Sequence, residues 1–283
     1  MTTYAITAVT GRFGRVAVKA LKARLQPGDA LIALARNLEK AAKIVPAGVT
    51  VRIGDYTNPQ SLAESLAGID RLLFISGQPG QAVSREQQHR NVIDAAKAAG
   101  VQYIAYTSFP DAQHNPAALA ADHKATELAL AASGIAHSNL RNNWYLENEL
   151  STLKAGAAGK PFVYAAADGQ AGWALEREYA EAAAIVMTTP NPKEVYEFAG
   201  APHTYADLAA AIGDNVNVHQ VSDAEYATGL VKVGLPQSAA ELIASFQTLI
   251  RQGGLKPTSN DLATVLGHPL VALPDAVQEV LHQ

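Results

Sequence analysis

The chain has no cysteine among its 283 residues. That absence excludes disulfides, cysteine-ligated zinc, iron–sulfur clusters and every thiol nucleophile. It fits a reducing compartment. The opening Met1-Thr2-Thr3-Tyr4-Ala5-Ile6 also lacks a basic segment followed by an apolar stretch, so the expected location is cytoplasmic. Charge is sparse at 17% of residues, with a formal net charge of -4, and the basic field of a duplex-binding surface is missing. No nucleic-acid partner is expected. No apolar run approaches the ~18 residues of a membrane span, so membrane insertion is not expected either. A His-Glu-x-x-His helix, a Gly-x-Ser-x-Gly elbow and a P-loop are all absent, which leaves hydrolase and NTPase readings without support. Glu86-x-x-His89 and Glu279-x-x-His282 have the spacing of di-iron ligands. Such a site needs four facing helices, and no metal is assigned.

What the chain does have is alternation. Hydrophobic residues make up 48% of it, and the length is roughly two domains' worth at about 150 residues each. Residues 4–9, 30–35, 49–53, 71–76, 102–107 and 136–141 read as strands, several continuously apolar as in a sheet covered on both faces. Helical patterns lie between them at 11–25, 38–45, 59–66, 84–99 and 119–132. In the first, Phe13, Val16, Ala17, Ala20, Leu21 and Leu25 form one apolar stripe, while Gly68, Gly100 and Gly134 stand where helices need left-handed caps. This βαβα rhythm predicts an α/β fold, a Rossmann-like doubly wound parallel sheet. It loosens after about residue 150. Lys154 to Pro161 reads as a loop, 162–165, 195–199 and 216–221 as strands, 180–187 and 204–212 as helices, and the last sixty residues as mainly helical. The expected division is a nucleotide-binding domain over 1–155 and a smaller, mainly helical capping domain over 156–283, with some segments returning to the sheet.

The first strand runs into Ala8-Val9-Thr10-Gly11-Arg12-Phe13-Gly14, and an amphipathic helix opens there. In a dinucleotide fold the glycines at such a turn permit a tight bend, close approach of a pyrophosphate and close helix–strand packing, and the helix N-terminus offers free N–H groups to the anion. Gly11 and Gly14 fill the second and third roles, and Ala8 stands in the first, so the bend must accommodate a Cβ. The second strand ends Leu34-Ala35-Arg36-Asn37 without a carboxylate. An acid there would bind a ribose 2′-hydroxyl, whereas Arg36, with Arg12 approaching, suits a 2′-phosphate, which favours NADPH over NADH.

With these residues the chain resembles the NmrA-like branch of the atypical short-chain dehydrogenase/reductases, most closely its bacterial type 2 quinone oxidoreductases. The resemblance runs nearly end to end. It is carried by Ala35-Arg36-Asn37, Gly54-Asp55-Tyr56, the run from His89 to Val101, Tyr103 to Ser108, Ala121-Asp122-His123, Leu140 to Tyr145 and Leu266-Gly267-His268-Pro269. Triphenylmethane dye reductases share much of this pattern. The resemblance implies cofactor contacts from the Ala8–Phe13 turn, from Arg36, from Ile75-Ser76-Gly77 and from Leu140-Arg141-Asn142-Asn143-Trp144-Tyr145. One departure is local: where the family has Ser-Ala-Thr-Arg beside the nicotinamide region, this chain has Trp173-Ala174-Leu175-Glu176.

Ordinary short-chain dehydrogenases protonate the substrate oxygen with a tyrosine whose pKa is lowered by a lysine four residues on, and none of the ten tyrosines here has one. A quinone needs no such acid, because hydride addition gives an aromatic phenolate with a pKa of about 10. The carboxyl-edge rule places Ser76, Gly77, Thr107, Ser108, Phe109, His123, Asn142, Trp144 and Tyr145 as candidates around an acceptor. His123, Asn142 and Tyr145 are the candidate catalytic groups: His123 as proton donor, Asn142 as anchor for the cofactor, and Tyr145, with Trp144, as a stacking surface. The expected function is an NADPH-dependent reductase of a quinone or similar planar acceptor, with homodimer formation compatible. The alternative is a non-catalytic NADP(H)-sensing regulator.

Overall fold

The structure is a computed structural model and describes residues 1–78, 80 and 82–283. Its first half alternates β1 (Thr3–Ile6), α1 (Arg12–Arg24), β2 (Ala30–Ala35), α2 (Leu38–Ala42), β3 (Thr50–Ile53), α3 (Pro59–Leu66), β4 (Arg71–Phe74), α4 (Arg85–Ala98), β5 (Tyr103–Ser108), α5 (Ala118–Ser133) and β6 (Ala136–Asn142). A 3-10 turn (Leu146–Glu149) leads to α6 (Leu150–Ala157), β7 (Phe162–Tyr164), α7 (Glu176–Thr188), β8 (Val195–Phe198), α8 (Tyr205–Ile212), β9 (Val218–Gln220) and the helices α9 (Asp223–Lys232), α10 (Gln237–Arg251), α11 (Asp261–Leu266) and α12 (Leu273–Leu281).

Seven strands form one sheet in the order β3-β2-β1-β4-β5-β6-β8, and every pairing is parallel. The order reverses between β1 and β4, which makes the carboxyl ends of those two strands the switch point where ligands enter such sheets. The apolar runs divide with period two. Ile6, Ala33, Leu73 and Ala105 face α1 and α7, while Ala5, Leu34, Leu72, Phe74 and Ile104 face α3, α4 and α5. Both faces are therefore covered, which is why the strands read as nearly unbroken apolar runs. Each fully buried Leu, Ile or Phe contributes about 1.5–3 kcal/mol. Helix α7 buries Ala180, Ala182, Ala183 and Ala184 in the same cluster as α1, and side chains that small let the two helices approach closely.

A second core holds the C-terminal layer. Leu153, Phe162, Tyr164, Trp173, Tyr205, Ile250 and Val277 pack together around a two-stranded parallel sheet, β7 with β9, and α6, α8, α10 and α12 enclose it. Helix α7 and strand β8, although late in sequence, belong to the first layer.

Several boundaries move from the sequence reading. Lys154–Ala157 is the end of α6 rather than loop, because Leu153 and Gly156 face the second core and alanine favours the helix. Helix α7 starts at Glu176, a turn earlier than its alanines indicate, since Glu178 reaches back to accept the Leu175 N–H at 3.1 Å. Strand β1 stops at Ile6 because Ala8 takes φ +51° and turns the chain. Helix α5 ends at Gly134, φ +78°, as expected for a left-handed cap.

Candidate active site

At the switch point a cleft of about 520 Å³ opens over the carboxyl ends of β1, β2, β3, β4 and β5. That volume is in the range of cofactor-sized sites. Its floor is the turn from β1 to α1, where the Gly11 N–H donates to the Ala8 carbonyl at 3.1 Å. A Cβ on Gly14 would come within 2.7 Å of the Val9 Cα, so close packing of helix on strand demands glycine there. Gly11 is different. An added Cβ would meet only the Ala8 carbonyl at 3.5 Å, so the protein's own packing leaves room for it. The space kept clear lies on the cleft side, which is what a close-approaching pyrophosphate requires. Helix α1 has neither a side-chain cap nor an acidic residue in its first turn, leaving its N-terminal N–H groups without a partner from their own helix.

The opposite wall is the segment after β4, whose amides are pinned one by one. Ile75 N–H donates to Thr7 Oγ1 at 2.9 Å, Ser76 N–H to Thr107 Oγ1 at 2.9 Å and Gly77 N–H to His89 Nε2 at 2.9 Å. Because Nε2 accepts, the His89 proton sits on Nδ1, 2.8 Å from Thr126 Oγ1. Burial, with Arg85 adding to it, pushes the His89 pKa down to about 3, so the ring is neutral. Tyr56 completes this wall by donating to the Ile75 carbonyl at 2.7 Å.

Not every residue expected here reaches the cleft. Ala8, Thr10, Gly11, Arg12, Phe13, Gly14, Arg36, Ile75, Ser76, Gly77, Thr107 and Tyr145 line it. Val9 and Leu140 are wholly buried in the core behind it. Arg141 is turned away: Nη2 lies 2.7 Å from Glu127 Oε2 and Nη1 lies 2.8 Å from Glu197 Oε1. Asn143 bolts the end of β6 to the second layer, donating to the Leu255 carbonyl at 3.1 Å and accepting the Gly172 N–H at 3.2 Å. Trp144 packs on Phe246 with ring centroids 4.8 Å apart and donates to Glu149 at 3.0 Å, a core contact rather than a free stacking face.

The catalytic candidates also separate. Tyr145 lines the cleft and accepts from Asn142 Nδ2 at 2.9 Å, while Asn142 Oδ1 is buried without a partner. Burial pushes the Tyr145 hydroxyl well above the ordinary tyrosine range, so it stays protonated. His123 does not line the cleft. The inward face of α5 buries it between Tyr106, whose hydroxyl is 2.8 Å from Nδ1, and the stacked ring of Phe109. Its neighbour Glu127 is spent on Arg141 and Ser108, so no surface pair forms either.

Asp55, Tyr56, Gln88, Asn148 and Glu176 line the cleft without having been singled out for it. For Asp55 and Tyr56 the signal was available, since they directly follow β3 at the same sheet edge. Glu176 stood out only as a departure from the family pattern. Among the described residues no cluster of three or more His, Asp or Glu is placed to hold a metal ion, and His89 and Glu86 turn to Gly77 and Arg90 respectively. No helix among the described residues is long and apolar enough to cross a membrane.

A seven-stranded parallel sheet with a glycine turn, an uncapped helix start and an arginine at the tip of β2 defines a protein of the Rossmann-like, nicotinamide-dinucleotide-binding class. The comparisons agree. The NAD(P)H-binding family matches residues 9–170, and quinone oxidoreductase 2 of Escherichia coli K12 is 38% identical over 98% of both chains. The crystal structure of the Escherichia coli NADPH-dependent quinone oxidoreductase in complex with NADPH superposes with a TM-score of 0.91, covering 98% of this chain and 99% of that one. Triphenylmethane reductase of Citrobacter sp. in complex with NADP(H) is 34% identical with a TM-score of 0.92, covering 99% and 100%. The chain belongs to the NAD(P)H-binding, NmrA-like oxidoreductase family.

Proposed function

We propose that this chain is an NADPH-dependent reductase that transfers hydride to a quinone or a similar planar, conjugated acceptor. The observation that carries this reading is the cleft itself: a dinucleotide floor at Gly11 and Gly14 and a guanidinium at Arg36, beside a neutral, desolvated tyrosine in place of an activated one. The near full-length similarity to a quinone oxidoreductase and to a triphenylmethane reductase supports the acceptor class.

Arg36 would hold the 2′-phosphate on the adenosine ribose and the α1 N-terminus the bridging diphosphate, and the pinned Ile75–Gly77 segment offers a wall already fixed before binding. The bound cofactor supplies the hydride. Tyr145, kept protonated by burial and oriented by Asn142 Nδ2, has its hydroxyl hydrogen free to donate to the acceptor oxygen. Asn142 is a positioning residue, and His89 fixes the Gly77 amide without titrating.

NADPH oxidation followed at 340 nm with a panel of benzoquinones, naphthoquinones and triphenylmethane dyes tests the proposal. Turnover on at least one acceptor is expected. Tight NADPH binding with no turnover on any of them would overturn the reductase reading and leave the cofactor-sensing alternative.

A further inference from the structure

The N-terminus of α1 already has an anion. Glu176, the first residue of α7, places Oε2 3.1 Å from Arg12 Nε, and the nearby Phe13 amide at the start of α1 favours the ionised form of its carboxylate. These are groups that a diphosphate seated on the glycine turn would use. The contact with Arg12 is too bent for a linear hydrogen bond, and Oε2 is otherwise buried with no donor. The carboxylate has little room to retreat, because its own backbone N–H is tied to Glu147 Oε2 at 2.9 Å and α7 packs on α1. The groups facing it are Arg12 from the glycine turn, Glu147 from the 3-10 turn and the neutral hydroxyl of Tyr145.

We propose that Glu176 is a built-in counter-ion that competes with the dinucleotide's phosphates for Arg12 and the α1 N-terminus, so that cofactor affinity is held down whenever this carboxylate is ionised. The inference rests on the dinucleotide-binding reading above. An arriving diphosphate takes Arg12 from Glu176 and leaves the carboxylate beside a second anion, which favours its protonated form. Burial already holds Glu176 above its ordinary value of 4.5, with Arg12 opposing and Glu147 assisting that shift. Binding raises it further. Between the free and bound values the complex takes up a proton, and affinity falls as pH rises.

The test is the dissociation constant for NADPH, measured by fluorescence quenching and by calorimetry from pH 5.5 to 8 on the wild type, Glu176→Gln, Glu176→Ser, Arg12→Gln and the Arg12→Gln/Glu176→Gln pair. At pH 8 both neutral variants at position 176 bind about tenfold more tightly, the scale of one charge-assisted contact at a half-exposed arginine. That gain shrinks toward pH 5.5 and largely disappears in the Arg12→Gln background. The cofactor's own 2′-phosphate titrates near pH 6. It does so equally in every protein and cancels in the comparison. Calorimetry in two buffers of different ionisation heat gives less proton uptake for Glu176→Gln than for the wild type. Equal affinities at pH 8, or a gain independent of pH, would overturn the inference while leaving the dinucleotide reading intact. Failure of every protein to bind NADPH at any pH overturns both.

Discussion

Ala8 adopts φ +51°, the left-handed region, at the bend that opens the cleft. An L-residue there costs roughly 1–2 kcal/mol, because its Cβ crowds the following carbonyl. Replacing it by glycine removes that cost from the folded state. It also gives the unfolded chain more freedom, which offsets about 0.4–1 kcal/mol. The net expectation for Ala8→Gly is a stabilisation of about 0.5–1 kcal/mol, or roughly 1–3 °C in Tm for a protein of this size. Because the substitution removes only a methyl group and leaves every charged group lining the cleft in place, the NADPH dissociation constant is expected to stay within about twofold. Ala8→Val provides the opposite arm, since a branched Cβ at this φ adds steric cost and lowers Tm by several degrees. Ala167, φ +47°, is an internal control away from the cleft, and Ala167→Gly is expected to stabilise by a similar amount. Thermal denaturation with and without NADPH reads all three. A fall in Tm for Ala8→Gly would refute the argument, as it would mean that the methyl group's packing outweighs the backbone strain.

Arg36→Asp is expected to weaken NADPH binding about 10- to 100-fold and to leave NADH binding nearly unchanged, measured by titration with each cofactor. An unaltered ratio of the two affinities would remove Arg36 from the 2′-phosphate site. Arg141→Ala strands the buried Glu127 carboxylate and is expected to cost about 3–5 kcal/mol in urea denaturation, with no specific loss of cofactor affinity in the protein that remains folded. His89 sets an acid limit. Its folded pKa, near 3, lies below the 6.5 of the unfolded chain, so the stability present above pH 6.5 is lost as pH falls. The loss is about 2 kcal/mol at pH 5. Urea denaturation at pH 7 and pH 5 should show a smaller difference for His89→Gln, whose carbonyl can still accept the Gly77 N–H.

The strands and the glycine turn were legible because their causes are local. The nearly unbroken apolar runs of β2 and β4 and the helical stripe on α1 are written in nearest-neighbour chemistry. The residues after β6 were harder. Leu140 to Tyr145 form one continuous stretch, yet only Tyr145 lines the cleft; Arg141 and Asn143 are claimed by Glu197 and Leu255, both far along the chain. Periodicity cannot decide which of several polar residues after a strand is taken by a distant partner. His123 is the sharper case. A histidine four residues before a glutamate reads as a surface pair or a proton donor, and the inward face of α5 makes it neither. Glu176 was visible as a substituted position, but that it lies against Arg12 depends on the close packing of α7 on α1, a contact across more than 160 residues.

The acceptor class follows from what the cleft offers a developing negative charge. Reducing an isolated ketone leaves an alkoxide far more basic than water, and stabilising it needs a strong acid at the oxygen. The tyrosine lining this cleft beside Asn142 is moved in the opposite direction: burial makes the Tyr145 hydroxyl a weaker acid than free tyrosine, and no lysine lies four residues on to reverse that. In the proposed reaction its use is to donate a hydrogen bond without giving up the proton. Such a donor suffices only when the reduced acceptor spreads its charge over an aromatic ring, as a hydroquinone does, with a phenolic pKa of about 10. A cleft of this kind therefore selects acceptors by the basicity of their reduced form, and simple ketones bound in the same position should be held without being turned over.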